Sequence, residues 1–162
     1  MIIHYMQDRD RALPLSPIPR KNWEIDAYPV NEIAEYVQDV SKGDIDVLVE
    51  EYYNKYDMIL DGRDPEEFKK YVAVQAGIEI GFERFLEEKN YQAIVTHFGD
   101  LGSLKQLPGL AIQRLMEKGY GFGGEGDWKT AAMGIEAVYI DGDTTIRNLQ
   151  NELRWNSMYF SK

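Results

Sequence analysis

The chain has 162 residues, 44% of them apolar and 28% charged, with a net charge of −10 and no cysteine. That composition suits a soluble domain with its own core, and it excludes disulfides and thiolate metal sites. It also argues against nucleic acid and anionic membranes, because clustered Lys and Arg are missing. Asp8, Arg9, Asp10 and Arg11 break any secretory apolar run, and no run approaches membrane-spanning length, so the cytoplasm is the expected compartment. The only histidines are His4 and His97, so a hard cation would have to lean on carboxylates.

Pro14, Pro17 and Pro19 predict an extended arm over 1–22, followed by one domain over 23–162. Apolar and polar residues alternate over 23–30, which predicts a short strand. Asn31 is read as the cap of a helix over 32–40, with Ile33, Val37 and Val40 on one face. Asp44 is read as the cap of the next, where Ile45, Leu48, Val49, Tyr52 and Tyr56 keep helical spacing. Asp64-Pro65-Glu66-Glu67 is a full start signal: a capping acid, Pro at the first helical position and Glu three residues after the cap. The helix it opens runs to about 88. Its stripe of Phe68, Tyr71, Val72, Gln75, Ile78, Phe82, Phe85 and Leu86 reads as core.

A β-branched run over 91–98 reads as a buried strand. Pro108 opens a helix that ends at Lys118-Gly119. A glycine-rich stretch fills 120–126, and Asp127 caps a short helix through 132. A strand over 136–140, a turn at Asp141-Gly142-Asp143 and a helix over 144–155 complete the series. Strands alternating with helices predict a single compact α/β domain of three layers, a mainly parallel sheet with helices on both faces.

The segment from Thr96 to Ala132 carries the chemistry. Phe98-Gly99-Asp100-Leu101-Gly102 falls at the carboxyl end of a strand, where ligands sit in open α/β sheets. Gly121-Phe122-Gly123-Gly124-Glu125-Gly126 holds an acid among glycines. The dinucleotide spacing fits Gly121, Gly123 and Gly126, but Asp127 follows at the helix start and would repel a pyrophosphate. Glu125 reads either as part of a structural turn or as a group that holds a cation or moves a proton. His97 is a half-buried strand-end histidine or a second ligand beside Glu125. Asp127 is a helix cap and Asp100 a loop anchor, or both face the cleft, with Lys129 pairing either acid. Trp128 and Trp155 read as packing anchors.

Leu104-Lys105-Gln106-Leu107-Pro108-Gly109-Leu110-Ala111, then Gln113-Arg114-Leu115-Met116, then the run from Gly119 through Gly123-Gly124-Glu125-Gly126-Asp127-Trp128-Lys129-Thr130-Ala131-Ala132 resembles the signature of L-arabinose isomerases. Residues 23–132 resemble that family's central domain. Residues 133–162, through Gly134-Ile135-Glu136 and Leu153-Arg154-Trp155-Asn156, resemble its C-terminal tail.

The resemblance implies aldose–ketose isomerisation of L-arabinose or D-galactose in carbohydrate metabolism, with Mn2+ polarising the substrate oxygens and carboxylates moving a proton between C1 and C2. It implies Glu125 as a metal ligand and catalytic carboxylate, and Phe98 as a pocket wall. His97 is the improvised second ligand, and Asp100, Asp127 and Lys129 are substrate contacts. The family's second glutamate and both its histidines fall in a region without a counterpart here, so the Mn2+ site is expected to be weak or absent. Gly99 stands where many relatives carry glutamate, and His97 where they usually carry threonine. Two readings follow. One is an abbreviated isomerase. The other is an inactive remnant or constructed fragment that acts as a sugar-binding or self-assembly module. A homo-oligomer is expected in either case.

Overall fold

The computed structural model describes residues 2–4, 25–97, 99 and 101–140. The turn expected at 141–143, the helix expected over 144–155 and most of the arm over 1–22 lie outside them. In chain order the elements are β1 (Ile2–His4), β2 (Ile25–Ala27), α1 (Val30–Gln38), α2 (Lys42–Lys55), α3 (Pro65–Lys89), β3 (Ala93–Thr96), α4 (Gly109–Glu117), β4 (Gly121–Gly124) and α5 (Trp128–Ile140).

Local chemistry explains most of the boundaries. Asp64 accepts the N–H of Glu67 at 2.9 Å and Pro65 follows at the first helical position, so α3 starts as its sequence demands. It ends at Asn90, whose left-handed backbone (φ 58°) stops the helix. Two expected caps shift. Ser41 rather than Asp44 caps α2, its hydroxyl accepting the Asp44 N–H at 3.1 Å. Pro29 precedes α1, and the Asn31 side chain instead accepts the N–H of Ser103 at 3.1 Å.

The four strands form one sheet in the order β2-β1-β3-β4, every pair parallel. The expected three-layer α/β architecture built on that sheet is overturned. Most of the described residues are helical, and each strand spans only three or four residues. Two physical reasons stand out. Pro29 leads into α1 only two residues after β2 ends. The run expected as a strand over 136–140 continues α5 instead. Ala131, Ala132 and Ile135 recur at helical spacing and bury one face of α5, so tertiary packing overrides the β propensity of the apolar run.

Most burial is between helices. Ile33 and Ala34 of α1, Ile78, Phe82, Phe85 and Leu86 of α3, Ile112 and Leu115 of α4, and Ile94 of β3 form the main core. Val49 and Tyr52 of α2 close a second cluster on Val72 and Ala76 of α3. Ala93 and Val95 alternate with Ile94 and so face the other side of the sheet, where they meet Ala131, Ala132 and Ile135 of α5.

α5 lies almost directly on β4, and two glycines allow it. A Cβ on Gly121 would stand 2.2 Å from the carbonyl oxygen of Ala131, and one on Gly123 would stand 2.0 Å from that of Asp127. Gly124, one residue on, has open space around it. Gly123→Ala is therefore expected to destabilise the protein by roughly 2 kcal/mol, within the range for overpacking. Gly124→Ala should stay within about 0.5 kcal/mol of the parent. Urea unfolding of the two variants side by side checks the contrast, and equal midpoints would refute the close-packing account.

Candidate functional site at the carboxyl end of the sheet

Parallel pairing determines which loops meet. Thr96 is in register with Gly124, so the chain leaves β3 and β4 side by side at the same edge. His97 and Glu125 are the next residues along. Glu125 sits in the left-handed region (φ 55°), followed by Gly126 at φ 80°. Left-handed backbone costs a non-glycine residue about 1–2 kcal/mol. The surrounding hydrogen bonds hold it there: the Gly126 N–H reaches the Thr96 carbonyl at 3.4 Å, and the Asp127 N–H reaches that of Gly124 at 2.9 Å. β4 thus turns sharply into α5 with the Glu125 carboxylate half-exposed at the turn.

Nε2 of His97 lies 3.6 Å from Oε2 of Glu125, and both side chains are about half exposed. Nδ1 of the same ring accepts the Gly99 N–H at 3.1 Å, which fixes the ring's orientation. A Cβ at position 99 would stand 2.9 Å from the imidazole. The ring at 97 takes the space that a side chain at 99 would use.

Asp127 works as a cap. Its carboxylate accepts the Thr130 N–H at 3.0 Å and the Thr130 hydroxyl at 2.7 Å. The Thr130 hydroxyl holds the carboxyl below the usual carboxylate range, against partial burial, and the backbone N–H groups of Thr130 and Lys129 add to the effect. The Lys129 ammonium stands 5.8 Å over the Trp128 ring. Trp128 itself packs, partly buried, on the Ala93–Val95–Ile135 cluster. Phe98, Asp100 and Trp155 lie outside the described residues. An open groove of about 630 Å³ between α1 and α3, lined by Tyr36, Asp39, Arg84, Glu87 and Glu88, includes none of these residues.

A resident Mn2+ calls for an octahedral set of oxygen and nitrogen donors. Among the described residues no group of three or more His, Cys, Asp or Glu side chains converges to hold a metal ion. Glu125 and His97 are two donors, and Asp127 is committed to Thr130. The described residues do not fit the family's cation, and no chemical step is assigned to it.

The polar seam between α3 and α4 has no counterpart among the sequence expectations, which treat Gln75 as part of the core stripe. Yet Glu79 is completely buried and bonded to Tyr52 and Arg114. The spacing of Gln75, Glu79 and Glu83 at i, i+4 and i+8, facing Arg114 and Lys118 at i and i+4, is the signal that could have revealed it.

The fold presents one strand-end carboxylate from a glycine-rich turn between β4 and α5. Residues 19–141 match the L-arabinose isomerase central domain. Over 124 residues, 76% of this chain, it is 44% identical to the L-arabinose isomerase of Geobacillus kaustophilus and 46% identical to that of Anoxybacillus flavithermus. Over 121 residues, 74% of this chain, it is 47% identical to the enzyme of Serratia proteamaculans. The chain belongs to the L-arabinose isomerase family. It spans about a quarter of the length of these relatives (25% of the first two, 24% of the third).

The Asp127 cap gives a pH-dependent prediction. Its folded-state pKa is lowered, so near pH 4 the unfolded chain binds more protons at this position than the folded one, and stability rises with pH there. At pH 7 the parent should exceed Asp127→Ala by about 1 kcal/mol, the usual worth of a side-chain cap. The gap should shrink as pH falls below about 4, the unperturbed Asp range. Urea unfolding of both proteins from pH 3 to 7 measures it, and a gap constant across that range would rule the charged cap out.

Proposed function

We propose that this chain is a folded sugar-binding and self-associating module of the L-arabinose isomerase family, and that it does not turn sugar over by itself. The observation that carries the proposal is the site's composition. Glu125 and His97 face each other at 3.6 Å, and no further metal-holding group converges on them among the described residues. Isomerisation needs a positioned Lewis acid and a second acid–base group across the substrate. Contact needs only acceptors and donors at the right edge. A half-exposed carboxylate accepts two hydroxyls of a pentose or hexose, and the neighbouring imidazole offers a third polar contact. L-Arabinose and D-galactose are the sugars assigned. Phe98, Asp100 and Lys129 belong to the same reading as the remaining contacts.

The full reading, an abbreviated Mn2+-dependent isomerase, has Glu125 in its favour and little more. Self-association as a homo-oligomer belongs to the proposed reading; Ile59, Met133 and Val47 are the large apolar side chains most exposed among the described residues (81%, 70% and 69%). A cytoplasmic setting agrees with the absence of cysteine. No helix among the described residues is long and apolar enough to cross a membrane.

Two measurements test the proposal. Ketose formation from L-arabinose with added Mn2+ should not rise above the Glu125→Ala blank. A rate in the ordinary enzyme range of about 1–10³ s⁻¹ that vanishes in the variant would establish the isomerase instead. Saturation-transfer NMR should detect L-arabinose on the parent and lose the signal in Glu125→Ala. Equal signals in the two proteins would remove Glu125 from sugar binding.

A further inference from the structure

α3 and α4 are joined by apolar contacts that carry little positional information. Ile78 and Phe82 of α3 and Ile112 and Leu115 of α4 belong to one core. Apolar burial is non-directional, and a helix displaced along its neighbour still finds apolar surface. Something else has to fix where α4 sits, and its position matters, because α4 leads through Lys118 and Gly119 directly into β4 and the turn that carries Glu125.

Three polar residues of α3, each one turn after the last, meet α4 along its whole length. At the start of α4, Pro108 supplies no side-chain cap. Gln75 replaces it from the neighbouring helix: its amide oxygen accepts the N–H of Ala111 at 3.3 Å, and its amide nitrogen donates to the Leu107 carbonyl at 2.8 Å. One turn on, Glu79 is 0% exposed. Its Oε2 accepts the Tyr52 hydroxyl at 2.5 Å and Nε of Arg114 at 3.2 Å, while its Oε1 lies 3.0 Å from the Lys118 ammonium. A further turn on, Glu83 accepts from Lys118 at 2.6 Å. Arg114 is held from the other side by Glu51 of α2 at 2.5 Å and the Tyr56 hydroxyl at 3.4 Å.

We infer that this polar ladder sets the register of α4 on α3, and that Glu79 is its discriminating rung and hence a positioning residue for the β4–Glu125 turn. Sliding α4 by one turn, about 5.4 Å, leaves much of the apolar contact in place. It leaves at most one of the two cations beside a carboxylate that has no access to water, and it takes the Gln75 cap away from the N–H of Ala111. An unpaired buried charge is among the most expensive defects a fold can carry. The native register gives Gln75, Glu79 and Glu83 their partners together, with Oε1 of Glu79 held by the Lys118 charge and by no hydrogen bond. Glu79 thus acts by excluding alternatives more than by adding stability, since a buried ion pair often does no better than an apolar replacement of similar volume. The inference does not depend on whether the chain binds sugar.

The test separates register from stability. The triple variant Tyr52→Phe, Glu79→Met, Arg114→Met replaces the centre of the ladder with apolar side chains and leaves no buried polar atom of that trio behind. It should keep the parent's helical circular dichroism. Its amide NMR spectrum should show doubled or broadened resonances over 120–127, and exchange of the amides over 115–120 should be about tenfold faster while that of α1 is unchanged. A single sharp set of resonances with parent-like exchange would overturn the inference. Should the triple variant not fold, Glu79→Gln decides the matter. A selective rise of about tenfold in amide exchange in α4 supports a register role, whereas an equal rise in α1 and α4 means that Glu79 contributes only to global stability and overturns it.

Discussion

The structure depends on the burial of α3 on several sides at once. A helix of 25 residues that buries Val72, Ala76, Ile78, Phe82 and Phe85 cannot satisfy them against one neighbour. α1 and α4 take one side through the main core, and α2 takes another through Val49 and Tyr52. Where α1 crosses, Gly81 removes a Cβ that would stand 2.6 Å from the backbone of Val37, so the two helices approach to backbone contact. The sheet is narrow and its strands short because it is not the main source of burial. Its role is geometric: it brings the ends of β3 and β4 to one edge.

That edge shows how glycine spacing acts through packing. Gly121 and Gly123 look, in sequence, like residues that let a ligand approach the backbone. In the fold their bare faces are taken by the carbonyl oxygens of Ala131 and Asp127. The approaching backbone belongs to α5. Because α5 lies so close, the chain has only three residues, Glu125, Gly126 and Asp127, in which to reverse from strand to helix, and the first two adopt positive φ. The left-handed Glu125 follows from tight helix–strand packing. The same turn that closes the fold presents a carboxylate at the carboxyl edge, where strained non-glycine residues often serve function.

Local signals were legible and tertiary ones were not. The Asp64-Pro65-Glu67 start, the strand through Ile94 and the Asp127 cap are each encoded within four residues, and the structure has all three. Asn31 and Asp44 failed as caps for a tertiary reason in one case and a local one in the other. Asn31 is drawn to Ser103, far along the chain, while Ser41, three residues before Asp44, is the better-placed oxygen. The segment over 136–140 has the composition of a strand, and it continues a helix whose first turns dock on β3 through Ala131, Ala132 and Ile135. Gln75 kept the spacing of the α3 stripe because it does face inward, but inward there means toward the backbone of α4. Periodicity reports which way a side chain points and does not report what waits for it. At the site, the motif made Glu125 conspicuous and paired it with His97.

The difference between binding and catalysis here is a matter of when an interaction strengthens. Only contacts that are stronger in the transition state than in the ground state accelerate a reaction. A lone carboxylate beside an imidazole meets sugar hydroxyls much as it would meet them at any point along the reaction, so it contributes to occupancy before it contributes to rate. In aldose–ketose isomerisation the charge that grows is on the substrate oxygens, and a cation in fixed geometry, with a second proton-moving group opposite, responds to it. Fixed geometry is what the described site lacks: one carboxylate, one imidazole tied through Nδ1 to Gly99, and an aspartate already used as a cap. The fold has invested its rigidity elsewhere. The turn at Glu125 is held by α5, and α4 behind it by a buried carboxylate, so a single acidic group is presented with high positional definition and without partners of matching definition. Completing such a surface for catalysis would take further ligands, each placed as firmly as Glu125.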